Sequence, residues 1–433
     1  MRMRLLIHFQ ILLVLLLAPK RLPAVDSHST PPGTSQVTFR DFNSVVFMPL
    51  PETVEKLQFG WARDDFPWAL IEPQKGQWNW QQTDGLVLRA HAAGVEILPI
   101  LDYSAPWAGS TPGKKFSPPA RVEDWEDFVE HTVARYTQPP YSLRYFQVWN
   151  EPTRQAGFWT GSDEEFIDKV YLPAAKIIRS HGGRVVFGGW PSSNSLQEFD
   201  RILAYHHAWR WTDILDVHYR GLSAWQHLYD TWVKPGKSLG VWQTEIGFTS
   251  NPEYLPNVYL RALYWALRSG WSDPDQYKLF WYASSGGGKD GDKCLTKIAA
   301  DHTTILTQNG ILLSVMNGML GGGSLTSFSN FSTDPPLHPV LEGTAPTALG
   351  FSVGRERVVI ALLGRTMFAK QAVLSVTVST ERRPARVELV SLSGVTWALN
   401  SDYRGGSLQV NIPLRELLKT SETDGAYLKI DQN

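Results

Sequence analysis

The chain has 433 residues, 43% of them hydrophobic, and a formal net charge of -1 from 41 Lys and Arg against 42 Asp and Glu. That length holds one large domain and a small one. The balanced charge, with no basic run or face, argues against nucleic acid as the main partner. The single cysteine, Cys294, excludes an intramolecular disulfide and argues against a cysteine-based metal site.

At the N-terminus, Arg2 and Arg4 precede the short apolar run LLIHFQILLVLLLA, and residues 22–24 (LPA) supply a small-residue cleavage site. Residues 1–24 are therefore expected to be a secretory signal and 25–35 a flexible leader, with the mature chain secreted or periplasmic and free of a membrane span. Lys20 and Arg21 are unusual before such a site and leave an uncleaved anchor as the alternative. The chain carries 18 Trp. Most are expected in the core; several can serve as flat platforms for sugar rings, because an indole offers an apolar face and a polar N–H.

Apolar runs of strand length then recur at 43–48, 57–62, 95–101, 143–149, 184–189, 213–218, 239–244 and 277–282. They are nearly continuous rather than alternating, the pattern of strands covered on both faces in a parallel sheet. The segments between them read as helices. Ser162 with Glu165 forms a capping box before Phe166, Val170, Ala174 and Ile177. Val122, Trp125, Val129, Val133 and Tyr136 mark another face, and 256–270 begins with Pro and ends with Gly. Residues 309–320 supply a last helix. The first unit is the weakest, since PLPETVEK leaves little room for a helix.

Eight such units predict a (β/α)₈ barrel, a TIM barrel of the α/β class, over 36–320. A doubly wound open sheet is disfavoured because no Gly-rich phosphate loop follows the first strand. GGGS at 321–324 marks a boundary. Beyond it, alternating runs at 357–364, 372–379, 386–392, 407–412 and 426–430 predict a small β-sandwich over 321–433. The glycine-rich stretch 285–293 is expected to be a flexible loop; it lacks the ending of a phosphate loop.

Chemistry in such a barrel belongs at the C-terminal strand ends. Strand four ends in WNEP, with Asn150 and Glu151; strand seven ends in QTEIGF, with Glu245. Strands four and seven face each other across the mouth. Two carboxylates so placed flank a glycosidic bond, one protonating the leaving oxygen and the other attacking the anomeric carbon.

These two motifs resemble the acid/base and nucleophile motifs of glycoside hydrolase clan A. The stretch 59–108, with its Trp-x-x-Ile-Glu-Pro, Gly-x-Trp-x-Trp and Pro-Trp landmarks, is similar to family 39, with family 5 close behind. The resemblance covers the barrel. It implies a retaining β-glycoside hydrolase without a cofactor, acting on an oligosaccharide, polysaccharide or glycoconjugate. By resemblance Glu151 is the acid/base, Glu245 the nucleophile, and Asn150 a ligand of the sugar 2-hydroxyl. The charge of Glu245 is expected to raise the pKa of Glu151.

Other candidates carry two readings each. Arg63, after strand two, either orients the nucleophile, as in the clan, or pairs with Asp64 or Asp65. His218 and Tyr219, ending strand six, either approach the nucleophile and substrate or serve the structure. Asp102 and Tyr103 bind a sugar hydroxyl or cap a loop. Trp107, Trp159 and Trp281 are the expected sugar platforms; Trp61, Trp149 and Trp242 are expected in the core. No His pair or Cys cluster accompanies His218, so no metal is expected. Lys114 and Lys115 read as a solvated loop tip, or as a preference for acidic glycans. The competing reading of the whole is a carbohydrate-binding or exopolysaccharide-processing partner that keeps the barrel without catalysis. Oligomeric state is not legible in the sequence.

Overall fold

The computed structural model describes residues 37–364, 373–414 and 425–432. The expected signal and leader lie outside them. Eight parallel strands close into a barrel in chain order. They are β1 (Asn43–Val46), β2 (Trp61–Pro67), β3 (Glu96–Asp102), β4 (Tyr145–Val148), β5 (Arg184–Val186), β6 (Ile214–His218), β7 (Gly240–Gly247) and β8 (Tyr277–Tyr282). Ser44 of β1 pairs with Phe280 of β8 to close the ring.

The continuity of the apolar runs has a direct cause. Val46, Trp61, Leu98, Tyr145, Val186, Ile214, Trp242 and Phe280, one from each strand, fill the barrel interior. Their neighbours Val45, Ala62, Ile97, Phe146, Val185, Leu215, Val241 and Leu279 lie in the outer core, between sheet and helices. Successive side chains point to opposite faces, and here both faces are dry.

The helices follow the expected pattern with two corrections. The first unit does contain a helix, Pro51–Leu57, with Pro51 at its first turn and Gln58 left-handed at its end. That fixed φ suits a helix start, and the helix takes Leu57 out of the second strand, which begins only at Trp61. Past the capping box at Ser162 and Glu165, one wide turn of π-helix spans Ile167–Tyr171 before Leu172–Ser180 continues. After the wider turn Ala174 stays on the buried face as expected and Ala175 joins it. Ile178 is buried where the regular period pointed to Ile177.

After β8 the glycine-rich stretch is not a plain loop. Its 3₁₀ turn, Gly288–Lys293, sits inside a three-stranded sheet formed by Ser285–Gly286, Thr296–Ile298 and Thr304–Leu306. The helix Gln308–Leu320, capped by the Thr307 hydroxyl, ends the barrel.

Two antiparallel sheets follow. Leu325–Phe328, Thr347–Val353, Arg357–Leu363, Gly425–Gln432, Pro384–Ser391 and Thr396–Ala398 form one, and Phe331–Asp334, Leu374–Ser379, Ser407–Ile412 and Ser401–Arg404 the other. Leu408, Val410 and Ile412 are buried between the sheets, as the alternation predicts. This domain is tied to the barrel. Leu325 N–H donates to Val37 O, Arg357 donates to Gly318 O and Met319 O, and Arg261 donates to Val340 O and Ala345 O. Among the described residues no helix is long and apolar enough to cross a membrane.

Trp242 is, with Trp61, one of two tryptophans in the interior. It is fully buried, packs against Trp61, Tyr145 and Phe280, and donates its N–H to Asp275 O at 2.7 Å. Trp242→Ala should lower stability by roughly 3–5 kcal/mol in urea unfolding. Leu88→Ala, on an exposed helix position, should stay within about 0.5 kcal/mol of wild type.

Candidate active site

The C-terminal strand ends carry a concentration of backbone strain. Phe47 after β1, Trp149 and Glu151 after β4, Tyr219 after β6 and Phe248 after β7 have φ of 65°, 67°, 44°, 52° and 58°. Each such non-glycine residue costs roughly 1–3 kcal/mol and persists only where its surroundings enforce it. Here Glu151 N–H is fixed by Gly188 O at 2.7 Å, Tyr219 N–H by Glu245 O and Phe248 N–H by Tyr282 O. The chain leaves the strand at these points; Trp149 turns into the core, as expected, and the others turn into the mouth.

Arg63 lies at the centre, 1% exposed. It does not pair with Asp64 or Asp65. Its guanidinium donates to Gln147 Oε1 at 2.7 Å, Asn150 Oδ1 at 2.6 Å and Glu245 Oε1 at 2.7 Å. One planar fork thus joins β2, the end of β4 and β7. Burial works against its charge, but Glu245 and Asp216 raise its pKa above the usual arginine value. Asn150 accepts from Arg63 through its oxygen, so its amide N–H₂ remains the donor end.

Glu245 owes its position to a bulge. Asp216 of β6 pairs with Trp242 and His218 with Glu245, so β7 holds one residue more than β6 between these pairs. A bulge re-aims side chains. Here it lets the consecutive Thr244 and Glu245 both turn toward the site, Glu245 to Arg63 in the mouth and Thr244 to His218 behind it. Glu245 meets Arg63 and, at 3.4 Å, the Tyr219 hydroxyl. Thr244 meets His218 and Asp216.

Glu151 sits beside a neutral imidazole. His218 Nδ1 is 3.0 Å from Glu151 Oε1, and its Nε2 is 2.9 Å from Thr244 Oγ1. Thr244 Oγ1 is in turn 2.6 Å from Asp216 Oδ2, and Thr244 N–H donates to Asp216 Oδ1 at 3.0 Å. Gly189 makes room for this chain. A Cβ there would lie 2.2 Å from His218 Nε2, and its φ of 64° suits glycine.

Burial pushes His218 down to about 3 and so keeps it uncharged. Burial also raises Glu151 to about 7, against the charge of Arg63. This corrects the expected cause, which was the charge of Glu245; loss of water around the carboxyl dominates. Burial raises Asp216 to about 8, opposed by Arg63 and the hydrogen bonds from Thr244. Asp102 is buried with both carboxyl oxygens unpartnered among the described residues, and desolvation holds its pKa well above the usual range. Tyr103 reaches Asn150.

The expected platforms need correcting. Trp159 is 1% exposed; its N–H donates to Ser162 O and its ring packs on Trp149 and Phe166. Trp281 is fully buried against Tyr254 and Tyr259, beneath Gly247, where a Cβ would lie 2.7 Å from the ring. Neither presents a face to solvent. Trp107 is half-buried, with its N–H on Glu72 O and its ring edge-on to Trp68. The exposed aromatics of the mouth are Phe47, Tyr219 and Phe248, at 37%, 36% and 37%. Tyr282 stands between Phe47 and Phe248, with ring centroids 5.8 and 5.4 Å away. Their signal in the sequence was an aromatic residue at, or one position past, a strand end.

Glu151, His218 and Glu245 bring their ligand atoms within 4.8 Å of one another, and among the described residues they are the cluster that could surround a cation. Each is engaged elsewhere, and Arg63 puts a positive charge 2.7 Å from Glu245. That set suits hydrogen-bonded acid chemistry better than a metal.

Comparison with known proteins agrees with the fold. No known family model matches the chain. Over 77 residues it is 34% identical to a beta-xylosidase of Caldicellulosiruptor saccharolyticus; the match covers 17% of this chain and only 16% of the length of that relative. A family 39 glycoside hydrolase from Bacteroides cellulosilyticus superposes with a TM-score of 0.61 at 16% identity, covering 91% of this chain and 82% of that one. A GH30 endoxylanase from Clostridium papyrosolvens gives 0.60 at 13% identity, covering 93% and 98%. The chain thus shares with these two glycoside hydrolases a fold of a parallel eight-stranded barrel followed by a β domain.

The buried carboxyls set a pH dependence of stability. Glu151 and Asp216 are raised from 4.5 and 3.8 to about 7 and about 8. Their contribution is full below the unfolded values and is lost as pH rises through the folded ones. His218, lowered from 6.5 to about 3, works in the opposite sense, and that effect levels off above its unfolded value. Urea midpoints should therefore fall as pH rises from ~4.5 to ~8, most steeply just above ~6.5 where His218 no longer offsets the loss, and level off beyond; Asp216→Asn should remove much of that fall.

Proposed function

We propose that this protein is a retaining β-glycoside hydrolase, with Glu151 as general acid/base and Glu245 as nucleophile. The observation that carries the reading is the pair itself. The ligand oxygens of Glu151 and Glu245 lie within 4.8 Å of each other. Retaining enzymes hold their carboxyls ~5–5.5 Å apart, whereas inverting ones need ~6.5–9.5 Å to admit a water.

The environments divide the roles. Glu245, ion-paired to Arg63 at 2.7 Å, is held as a carboxylate that can attack the anomeric carbon. Glu151, raised to about 7, keeps a proton to give to the leaving oxygen. That leaves a glycosyl ester on Glu245 and a carboxylate on Glu151, which then takes a proton from the incoming water. Asn150, its oxygen held by Arg63, offers its N–H₂ to a sugar hydroxyl, where a bond can tighten in the transition state. Tyr219, Phe47, Phe248 and Tyr282 supply the aromatic walls. The local similarity to a beta-xylosidase makes β-xylosides the first substrates to test. The arginines and apolar run at the N-terminus support export, to the outside of the cell or to a periplasm.

The test is release of sugar from a panel of aryl β-glycosides and polysaccharides. Glu151→Ala should lose about 10²–10⁴-fold on substrates with poor leaving groups and much less on activated ones. Glu245→Ala should be inactive, and azide should restore turnover as a glycosyl azide of inverted configuration. Equal activity in all three proteins would remove both glutamates from the mechanism.

A further inference from the structure

Asp216 and Thr244 lie behind the two glutamates and have no part in the double displacement itself. Both are fully buried, so neither touches substrate. Yet they continue a chain of contacts that begins on Glu151. The chain runs from Glu151 Oε1 to His218 Nδ1 at 3.0 Å, from His218 Nε2 to Thr244 Oγ1 at 2.9 Å, and from Thr244 Oγ1 to Asp216 Oδ2 at 2.6 Å.

Counting hydrogens along it gives a strong constraint. A neutral imidazole carries one N–H and a threonine one O–H. With both carboxyls ionised, two hydrogens serve three contacts, and one contact sets lone pair against lone pair. One further proton satisfies all three, and with the buried imidazole kept neutral rather than charged between two carboxylates it can do so in two ways. In the first, Glu151 is the acid: its O–H donates to Nδ1, Nε2–H donates to Thr244, and Thr244 donates to the Asp216 carboxylate. In the second every bond is reversed: Asp216 donates to Thr244, Thr244 to Nε2, and Nδ1–H to the Glu151 carboxylate. Passing between them moves three hydrogens along the chain and exchanges Glu151–COOH with Asp216–COO⁻ for Glu151–COO⁻ with Asp216–COOH.

We propose that Glu151 and Asp216 share one proton through His218 and Thr244, so that Asp216 is the positioning residue that sets when Glu151 is an acid and when it is a base. The inference rests on Glu151 being the acid/base. The surrounding charges are compatible with it. Glu151 faces His218, Arg63, Tyr219 and Glu245; Asp216 faces Thr244, His218, Arg63 and Glu245. Arg63 and Glu245 act on both carboxyls, so neither end is isolated from the site's charge. Trp190 N–H fixes the Asp216 backbone carbonyl at 2.9 Å and His218 N–H donates to Trp190 O at 3.0 Å, which holds the chain in register.

The direction of the effect follows from the geometry. In Asp216→Asn the amide oxygen keeps the Thr244 N–H, and the amide nitrogen takes the place of Oδ2. Thr244 must then accept from Asn and donate to Nε2, and His218 carries its hydrogen on Nδ1, facing Glu151. That bond favours the carboxylate. Glu151 should titrate lower than in wild type by about one pH unit, the scale of one charged hydrogen bond.

The measurement is carbon-13 NMR of side-chain carboxyls across pH, with nitrogen-15 NMR of the His218 imidazole. Wild type should show Glu151 and Asp216 responding to the same proton. Asp216→Asn should lower the Glu151 titration and fix the Nδ1–H tautomer. Thr244→Val, which keeps the shape and removes the relay, should lower it too, because Nε2 loses its acceptor; Thr244→Ser should return it to the wild-type position. The basic limb of kcat/KM should follow the same order. A Glu151 titration and His218 tautomer unchanged in Asp216→Asn and Thr244→Val would overturn the shared proton. The titration needs no turnover, so its outcome is separate from the acid/base reading, which fails if Glu151→Ala hydrolyses poor-leaving-group substrates normally.

Discussion

A guanidinium buried at the mouth of the barrel organises everything around it. A charge removed from water is tolerable only when paired and hydrogen-bonded, and breaking such a pair costs about 3–5 kcal/mol. Arg63 meets the condition by donating to Gln147, Asn150 and Glu245, which come from β4, its end, and β7. The need to satisfy one cation therefore sets the distance between two strand ends three positions apart in the ring. It also separates the two glutamates chemically. Glu245 faces the cation directly, while Glu151 faces a neutral imidazole. Two identical side chains thus meet different surroundings, and under the proposed function that difference divides the work of nucleophile and acid between them.

The site is built on strain that the barrel below it can support. Left-handed residues end β1, β4, β6 and β7, and a bulge adds a residue to β7. Such features cost stability locally. They sit above a plug with one buried side chain from each of eight strands, which leaves the strand ends little freedom to relax. Glycine completes the arrangement at Gly189, where His218 occupies the space a side chain would need.

The barrel was legible in the sequence because parallel strands buried on both faces leave uninterrupted apolar runs. The glutamates were legible because a polar pair that ends such a run stands out. Less could be read where backbone geometry decides. Thr244 precedes Glu245 and, by simple alternation, should point to the other face; only the bulge turns both toward His218 and Arg63. Asp216 reads as a lone acid inside a strand, and nothing in DILDVH ties it to Thr244, 28 residues later. Trp159, in the loop after β4, and Trp281, near the end of β8, lie where the mouth was expected, which suggested platforms, but Phe166 and Gly247 let their rings fold inward. In the β domain, short polar strands such as Phe331–Asp334 and Ser401–Arg404 lack an apolar signal because they are half exposed. Thr347–Val353 escaped notice because Ala348 and Gly350 dilute its pattern.

Everything proposed for the chemistry turns on Glu245 attacking the anomeric carbon while Glu151 supplies the proton. The most direct test is to incubate the protein with an activated 2-deoxy-2-fluoro β-glycoside, whose glycosyl ester hydrolyses slowly, and to map the modified peptide by mass spectrometry. One added sugar on Glu245 is expected. A sugar on another residue, or no adduct together with a product of inverted anomeric configuration, would contradict the assignment.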